Sequence, residues 1–283
     1  MLPNLKRYHR PKSITEALAL LHKNSGSIFI IAGGTKLVPS KNPQVEELVD
    51  ITGLELNYIQ QEYGVLRIGA TTTLQQMVES PILKTFAHGL LSEAAQLTHV
   101  SRMIRNVSTL GGELTTTTPL SILYCAFLVL QAQVRLVGCD EFALAMNIFL
   151  SKRKLDGGML IEVLIPQLEP RTYAAMVYTR SLHSWQPAIC ACARITVDKG
   201  LCTSAKIAIT GTEPVPQRLY EVEEFLENNS FTQKNIEHAA QNAYEIYNPI
   251  SDALATAEYR KEVSRFVIHK VLSQCLEFAD ELL

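Results

Sequence analysis

A short apolar segment that ends in paired glycines constrains the fold of this chain more than any other feature. Residues 28–32 read Ile-Phe-Ile-Ile-Ala, which has the length and composition of a buried strand. Gly33, Gly34 and Thr35 follow at once. Paired glycines let consecutive backbone N–H groups face one concavity, and the threonine hydroxyl adds a donor, so a phosphate-binding loop is predicted after the strand. A plain tight turn is the alternative, since Gly-Gly often marks one.

A second copy of this pattern favours the phosphate-binding interpretation. Residues 109–113 read Thr-Leu-Gly-Gly-Glu, so two glycines again stand between an apolar and a polar residue. Two such loops are expected to close on one diphosphate from both sides. A valine at Gly33 or Gly34 should then weaken ligand binding before it weakens folding, because its side chain occupies the space of a phosphate oxygen. Arg105 precedes the second loop and either serves the site or is an ordinary solvated arginine.

The periodicity of the chain predicts an α+β protein with two domains. Residues 1–170 alternate short strands with helices and form two sublobes, about residues 1–55 and 56–170. Residues 171–283 contain three strand-like runs and then three helical runs, which predicts a three-stranded antiparallel sheet followed by a helical bundle. The strands predicted in the first domain are residues 28–32, 48–51, 65–70, 133–137 and 159–165.

Local signals predict where two helices begin. Ser13 and Glu16 have the spacing of a capping box, in which the hydroxyl accepts from the Glu16 N–H and the carboxylate reaches back. Thr118 and Pro119 have the pattern of an N-cap and a first helical residue, and residues 120–130 after them are almost entirely apolar. Because that run is apolar on all sides, we expect its helix to be covered on most of them.

Composition excludes several classes of function. The 26 basic and 28 acidic residues leave a net charge of −2, so no basic field for nucleic acid is present. The first residues lack a signal-peptide core and residues 120–130 are too short to span a bilayer, which predicts a cytoplasmic protein without a membrane partner. Six cysteines without a C-x-x-C spacing predict buried free thiols, and seven histidines without an i, i+4 pair predict no metal site.

Several short motifs, taken in their order along the chain, resemble a known family. They lie at residues 9–13, 16–18, 32–35, 66–70, 105–106, 109–112 and 165–166. In this order and spacing the chain resembles the FAD-binding subunit of molybdenum hydroxylases, the group of xanthine dehydrogenase and carbon monoxide dehydrogenase. The similarity runs from about residue 3 to about residue 280.

The resemblance implies a two-sublobe, PCMH-like FAD-binding domain followed by a C-terminal lobe. It implies an oxidoreductase subunit of a hetero-oligomer that passes electrons from a [2Fe-2S] subunit through FAD to NAD or another acceptor, beside a molybdenum-cofactor catalytic subunit. The flavin carries the redox chemistry, so no catalytic acid or base is assigned to this chain. The residues that the resemblance places around FAD are Ile30, Ile31, Ala32, Gly33, Gly34, Thr35, Lys36, Leu37, Thr109, Leu110, Gly111, Gly112 and Glu113.

Four positions depart from the family pattern. Lys36 stands where the family usually has Asp, Glu113 stands where it has Asn, and Ile122 and Val177 replace an Asp and a Lys. Three interpretations therefore remain: an electron-transfer flavoprotein subunit, a structural subunit of the same complex with weak or lost FAD binding, and a stand-alone flavin oxidase. The opposite charge changes at Lys36 and Glu113 either compensate one another or are independent surface changes.

Overall fold

Strands and helices occur throughout the chain, so the α+β class is confirmed. The structure is a computed structural model that describes residues 2–23, 26–116, 118–138, 141–152, 158–180 and 185–280. Twelve strands lie within these ranges: β1 (Arg7–His9), β2 (Ile28–Ile31), β3 (Glu47–Asp50), β4 (Ile59–Glu62), β5 (Val65–Gly69), β6 (Gln133–Val137), β7 (Glu141–Ala145), β8 (Met159–Pro166), β9 (Thr172–Arg180), β10 (Pro187–Asp198), β11 (Leu201–Ile209) and β12 (Gln217–Arg218). The α-helices of the same ranges are α1 (Ile14–Lys23), α2 (Leu37–Ser40), α3 (Leu74–Glu79), α4 (Pro81–Thr85), α5 (Leu90–Thr98), α6 (Arg102–Arg105), α7 (Leu110–Thr115), α8 (Ile122–Val129), α9 (Met146–Lys152), α10 (Tyr220–Leu226), α11 (Gln233–Ile246) and α12 (Ala257–Asp280).

The chain folds into two units whose segments alternate along the sequence. The first unit contains residues 1–77, 101–116 and 132–166, and the second contains residues 78–100, 117–131 and 167–283. The division at about residue 170 stays a prediction about the domains.

None of the helices in the described ranges is long and apolar enough to cross a membrane.

A small parallel sheet in the order β1-β3-β2 begins the first unit. Helix α1 packs Ala17 and Leu21 against the sheet residue Val49. Its capping box is confirmed, because the Glu16 N–H donates to Ser13 Oγ at 3.1 Å and the Glu16 carboxylate accepts from the Lys12 N–H at 2.8 Å. Strand β2 was expected to be buried, but only Ile28 is, because this edge strand has a neighbour on one side only.

A five-stranded antiparallel sheet in the order β4-β5-β8-β6-β7 completes the first unit. The predicted strands at residues 133–137 and 159–165 are confirmed as β6 and β8. Strand β8 carries Glu162, a fully buried carboxylate that accepts two hydrogen bonds from Arg67 (2.9 and 3.0 Å), one from Arg135 (2.7 Å) and one from Tyr58 (2.9 Å). Burial alone would raise the pKa of Glu162, but these donors outweigh it and lower that pKa. Burial and this hydrogen bond raise the pKa of Tyr58 to about 12.

The second unit contains an antiparallel sheet in the order β12-β11-β10-β9. Three strands were predicted and four are present. The fourth, β12, pairs only Gln217 and Arg218 with β11, which is too short to leave a periodic pattern in the sequence. Helices α10, α11 and α12 follow as predicted, and their apolar residues join those of the sheet in one core.

Helix α8 is buried at all eight of its residues, as its apolar sequence predicted. The start predicted at Thr118 and Pro119 is wrong: the helix begins at Ile122 with Ser121 as N-cap. The Thr118 N–H donates to Ser121 Oγ at 2.9 Å and the Ser121 N–H donates to the Thr118 carbonyl at 3.0 Å, so this segment forms a turn before the helix. The Thr-Pro pattern therefore marks a turn that directly precedes the helix, and not the start of the helix itself.

Polar groups in the second unit are also buried. Arg260 on α12 is fully buried and donates to the Ala188 carbonyl (2.8 Å), the Ile250 carbonyl (2.6 Å) and the Asp252 carboxylate (2.7 Å).

The cysteines at 125, 190, 192, 202 and 275 are buried free thiols, as predicted, while the cysteine at 139 lies outside the described residues.

Candidate functional site

The first Gly-Gly segment forms the link between β2 and the short helix α2. Gly34 has a left-handed backbone with φ of 68°, which glycine adopts without strain. The Val38 N–H donates to the Gly34 carbonyl at 3.1 Å and the Ser40 N–H donates to the Lys36 carbonyl at 3.3 Å. A tight loop that turns directly into a helix is therefore present where it was predicted.

The second Gly-Gly segment is not a loop, which corrects the sequence interpretation. Gly111, Gly112 and Glu113 lie in α7, and Thr109 is its N-cap. The Thr109 hydroxyl accepts from the Gly112 N–H at 3.3 Å, and the Thr109 carbonyl accepts from the Glu113 N–H at 3.0 Å. A threonine cap thus starts a helix despite two glycines of low helix propensity. A Cβ at Gly111 would lie 3.1 Å from the Ala70 carbonyl oxygen, which is a tight contact that a small shift of the neighbouring backbone would relieve.

The two segments contact each other directly. A Cβ built on Gly33 would lie 1.7 Å from the carbonyl oxygen of Val107, and the Ser108 hydroxyl donates to Thr35 Oγ1 at 3.2 Å. The glycine at position 33 therefore allows two backbones to approach each other. This differs from the expected role, in which a side chain at Gly33 would meet a phosphate and leave folding intact.

Two adjoining cavities lie where these segments meet. Their volumes are about 270 and 130 Å³. The larger is lined by residues 30–37 together with Ser40, Thr109, Gly112, Thr115 and Thr116. The smaller shares Ile30, Ala32, Thr109, Gly112 and Thr115 with it and adds Ile51, Ala70, Gly111, Met159 and Leu160. The lining thus combines apolar side chains with hydroxyl-bearing ones, which suits a ligand with both characters.

Eleven of the thirteen residues that the resemblance places around FAD line these cavities. Leu110 does not, because it is fully buried. Glu113 does not line them either, but its Oε2 lies 3.9 Å from Nζ of Lys36. Among the residues that sequence reasoning missed, Thr115 and Thr116 come about a helical turn after the glycines, so they could be placed at the cavity only once α7 was known to be a helix. Met159 and Leu160 line the cavity because of how β8 pairs with β6 in the sheet, and no sequence motif near them indicates this position.

The donor set of the cavity suits a diphosphate. In the described ranges no acceptor receives the backbone N–H groups of Gly33, Gly34, Thr35 and Lys36. Gly33, Gly34 and Thr35 are half-buried and Lys36 is exposed. Because buried or half-buried backbone donors are almost always paired, the three half-buried groups without an acceptor indicate a place for an anionic ligand. Lys36 is the one charged side chain among the described residues that line the two cavities.

Arg105 is not part of this cavity. It is buried, and its Nε donates to Gln75 Oε1 at 2.8 Å, so of the two alternatives for Arg105 the solvated arginine is wrong. Its position at the end of α6 holds the segment before α7 in place. Ile122 and Val177 are two of the positions at which a departure from the family pattern was expected. They belong to the second unit, where Ile122 is buried in α8 and Val177 lies in β9.

A larger cleft of about 710 Å³ is lined mostly by residues of the five-stranded sheet. Its lining includes Arg67, Arg135 and Glu162, whose charged groups bond to one another. The site around the glycines is the better candidate because its backbone donors have no acceptor of their own. No three His, Cys, Asp or Glu side chains are grouped to hold a metal in the described part of the chain.

Comparison with known proteins decides the family. Residues 4–168 match the family described as the FAD binding domain in molybdopterin dehydrogenase, and residues 176–275 match the CO dehydrogenase flavoprotein C-terminal domain. The chain belongs to this family of FAD-binding subunits. It is therefore an oxidoreductase subunit with FAD as its cofactor, of the carbon monoxide dehydrogenase and xanthine dehydrogenase type.

Individual relatives of this FAD-binding subunit extend over nearly its whole length. The carbon monoxide dehydrogenase medium chain of Hydrogenophaga pseudoflava is 30% identical, over 96% of this chain and 98% of the relative. The 6-hydroxypseudooxynicotine dehydrogenase complex subunit alpha of Paenarthrobacter nicotinovorans is also 30% identical, over 94% and 93%. Among solved structures, carbon monoxide dehydrogenase from Hydrogenophaga pseudoflava superposes with a TM-score of 0.88 at 25% identity, covering 98% of this chain and 99% of that one.

Proposed function

We propose that this subunit passes electrons from an iron–sulfur subunit, through FAD bound in the two adjoining cavities, to NAD or another acceptor. The observation that carries the proposal is the run of four backbone N–H groups without an acceptor, at a cavity formed by both Gly-Gly segments. When bound, FAD supplies the redox chemistry, and the chain supplies orientation and electrostatics.

The proposed contacts follow from the chemistry of the lining residues. Residues 33–36 donate their backbone N–H groups to the diphosphate, and the hydroxyls of Ser40, Thr115 and Thr116 are further donors at the same cavity. Ile30 and Leu160 belong to the apolar wall against which an uncharged part of the cofactor packs. Cavities of about 270 and 130 Å³ are at the small end for ligand pockets, so the whole cofactor extends past their rims.

The partners belong to the proposal. The names "medium chain" and "complex subunit alpha" are those of subunits in larger assemblies, which supports a hetero-oligomer with a [2Fe-2S] subunit and a molybdenum-cofactor catalytic subunit. The proposed domains are residues 1–170 for FAD and residues 171–283 for the C-terminal lobe, in keeping with matches over residues 4–168 and 176–275. A cytoplasmic location stays a prediction.

The visible spectrum of the purified chain tests FAD binding in the cavity. The protein should be yellow, and heat or acid should release the flavin into the supernatant, because no covalent link is proposed. One FAD per chain is expected. A colourless protein that also fails to quench the fluorescence of added FAD would contradict the proposal and favour a structural subunit. The supporting observation for that alternative is the set of four expected departures, Lys36, Glu113, Ile122 and Val177.

Purification from the native cell through a tag on this chain tests the partners. An iron–sulfur protein and a molybdenum protein should copurify, and substrate of the complex should bleach the flavin absorbance only when both are present. NADH should bleach it directly if NAD is the acceptor. A chain that purifies alone and oxidises a substrate with oxygen would instead support the stand-alone flavin oxidase.

A further inference from the structure

Arg194 on β10 is a buried cation without an anionic partner. The residue is only 8% exposed. Its Nη2 donates to Gln131 Oε1 at 2.8 Å, whereas its Nε is shielded from water and has no acceptor. No ion pair joins Arg194 to a carboxylate in the part of the chain that the structure describes. Because a buried charge is costly unless it is paired, an arginine in this state is unusual.

The ion pairs beside Arg194 do not neutralise it. Arg218 donates from Nε and Nη2 to the Glu223 carboxylate. Lys206, which lies opposite Arg194 in the pairing of β10 with β11, donates from Nζ to Glu227 Oε1 at 2.8 Å. Each of these carboxylates therefore already has a cation as its partner, and three cations share two carboxylates. One positive charge is left over in this part of the sheet.

Two weaker sources of negative charge act on Arg194. Glu169 is exposed and favours the charged form of Arg194 without forming an ion pair with it. Gln131 follows the C-terminal end of α8, which carries roughly half a negative charge. These sources do not balance the cost of burial, because the pKa of Arg194 is lowered, first by burial and then by the repulsion of Arg218. The cation is therefore incompletely compensated.

The polar groups around Arg194 are hydrogen-bond donors. Residues two apart in a strand project from the same face, so Thr196 lies beside Arg194 on β10. The Thr196 hydroxyl and that of Thr172, opposite it on β9, are 2.9 Å apart, and neither has another partner among the described residues. One bond between two hydroxyls uses one of their two protons, so the other proton stays available. The Gln131 amide nitrogen is a further donor, and such a set of donors suits an oxyanion.

We propose that Arg194 is the cation of an oxyanion site, which binds one carboxylate or phosphate group with help from the Thr172 and Thr196 hydroxyls and the Gln131 amide. The group belongs either to a small free anion or to an acidic side chain of another subunit, two sources that the experiment separates. Arg194 lies in the second unit, whereas the residues that line the two cavities lie in the first. The inference therefore does not rest on FAD binding.

Thermal unfolding of the full chain tests the site for a free anion. The wild type and Arg194→Met are compared in chloride, phosphate and citrate at equal ionic strength, with excess FAD to occupy the two adjoining cavities. In chloride, Arg194→Met should melt level with the wild type or slightly above it, because the variant removes an uncompensated charge. At tenfold excess over its dissociation constant, phosphate or citrate should raise the wild-type midpoint by roughly 3 °C more than that of the variant.

Three variants are the controls. Arg218→Met leaves the buried Glu223 carboxylate without its cation, so it should lower the midpoint in every buffer. Arg180→Met removes an exposed arginine of the neighbouring strand β9 and should keep the full anion effect. Arg194→Lys should keep part of the effect, because lysine retains the charge but not the planar set of donors. A purely structural role of Arg194 would give no such partial rescue of anion binding.

Copurification through a tag on this chain tests the second source. If an acidic side chain of another subunit is the anion, phosphate should stabilise the wild type no more than Arg194→Met. Recovery of the other subunits should then fall about fivefold in Arg194→Met and stay unchanged in Arg180→Met.

The outcomes separate this inference from the proposed function. Equal anion effects in the wild type and Arg194→Met, together with equal recovery of other subunits, overturn the inference. An Arg194→Met protein that melts well below the wild type in chloride also overturns it, because the bond to Gln131 would then be the role of the arginine. A wild type that binds no FAD contradicts the proposed function and leaves this inference standing.

Discussion

Gly33 offers the sharpest test of why glycines occur at this site. In Gly33→Ala the new Cβ would lie 1.7 Å from the Val107 carbonyl oxygen and 2.7 Å from its carbonyl carbon. Real Cβ contacts are essentially never below 3.0 Å, so the two backbones must separate by about 1.3 Å, the difference between 3.0 and 1.7 Å. Both atoms belong to the backbone and cannot swing away as a flexible side chain could. The hydrogen bond from Ser108 to Thr35, now 3.2 Å long, would be stretched beyond its range.

The expected loss of stability can be scaled from this displacement. Overpacking of a close-packed site costs about 1–3 kcal/mol, and a clash of backbone with backbone belongs at the upper end. For a chain of this size that loss lowers the thermal midpoint by roughly 5–10 °C. The flavin-free protein should show it, because the contact is made within the chain.

The assay is thermal unfolding of flavin-free Gly33→Ala followed by circular dichroism, with FAD affinity measured on the folded protein. Gly53→Ala is the matched control, because a Cβ at Gly53 meets nothing within 4 Å, and its midpoint should stay level or rise slightly. A Gly33→Ala protein that melts with the wild type but has lost FAD would refute this reasoning. The glycine would then serve ligand access, as the sequence alone suggested.

Three further predictions concern groups outside this contact. Arg260→Met should lower the thermal midpoint by roughly 10 °C, since two carbonyls and the Asp252 carboxylate lose a buried donor, while Arg265→Met, at an exposed position of the same helix, should change it little. Glu162→Gln should cost about 2–3 kcal/mol at neutral pH in denaturant titrations. Because the pKa of Glu162 is lowered in the folded protein, its contribution to stability is present above its unfolded pKa of about 4.3. That contribution is lost as the pH falls through the folded pKa. The stability of the Glu162→Gln variant should therefore fall less steeply with acid than that of the wild type. Thr109→Val should remove the N-cap of α7 at a cost of about 1 kcal/mol, and Thr109→Ser should retain it; equal melting of the two variants would contradict the capping role.

Features set by neighbouring residues could be predicted from the sequence. The capping box at Ser13 and Glu16 involves groups four residues apart or fewer, and it formed as expected. Strands β6 and β8 followed from alternation within five to eight residues, and helices α11 and α12 from their helical periodicity. The polar edge strand β1 and the two-residue strand β12 have no such pattern and were missed.

The candidate site was predicted as a set of residues, but its geometry was not. The order of the glycine motifs indicated which segments meet, and eleven of the thirteen expected residues line the cavities. The same motifs gave no sign that residues 110–115 are helical, because the Thr109 cap outweighs the low helix propensity of two glycines. Arg105 likewise has the sequence context of a surface residue, yet it is buried and donates to Gln75, which lies 30 positions away in the sequence.

By itself the sequence determined the fold class, the family and the segments that line the two cavities, since periodicity, capping and motif order are local properties of the chain. Only the tertiary structure decided what those residues touch. Thr35 and Ser108 are 73 positions apart and share a hydrogen bond, Gly33 lies against the Val107 carbonyl, and Lys36 reaches Glu113. The sequence indicated that the two segments meet, but the individual contacts depend on how β2, α6 and α7 pack, because a close approach between distant backbones is set by the whole arrangement.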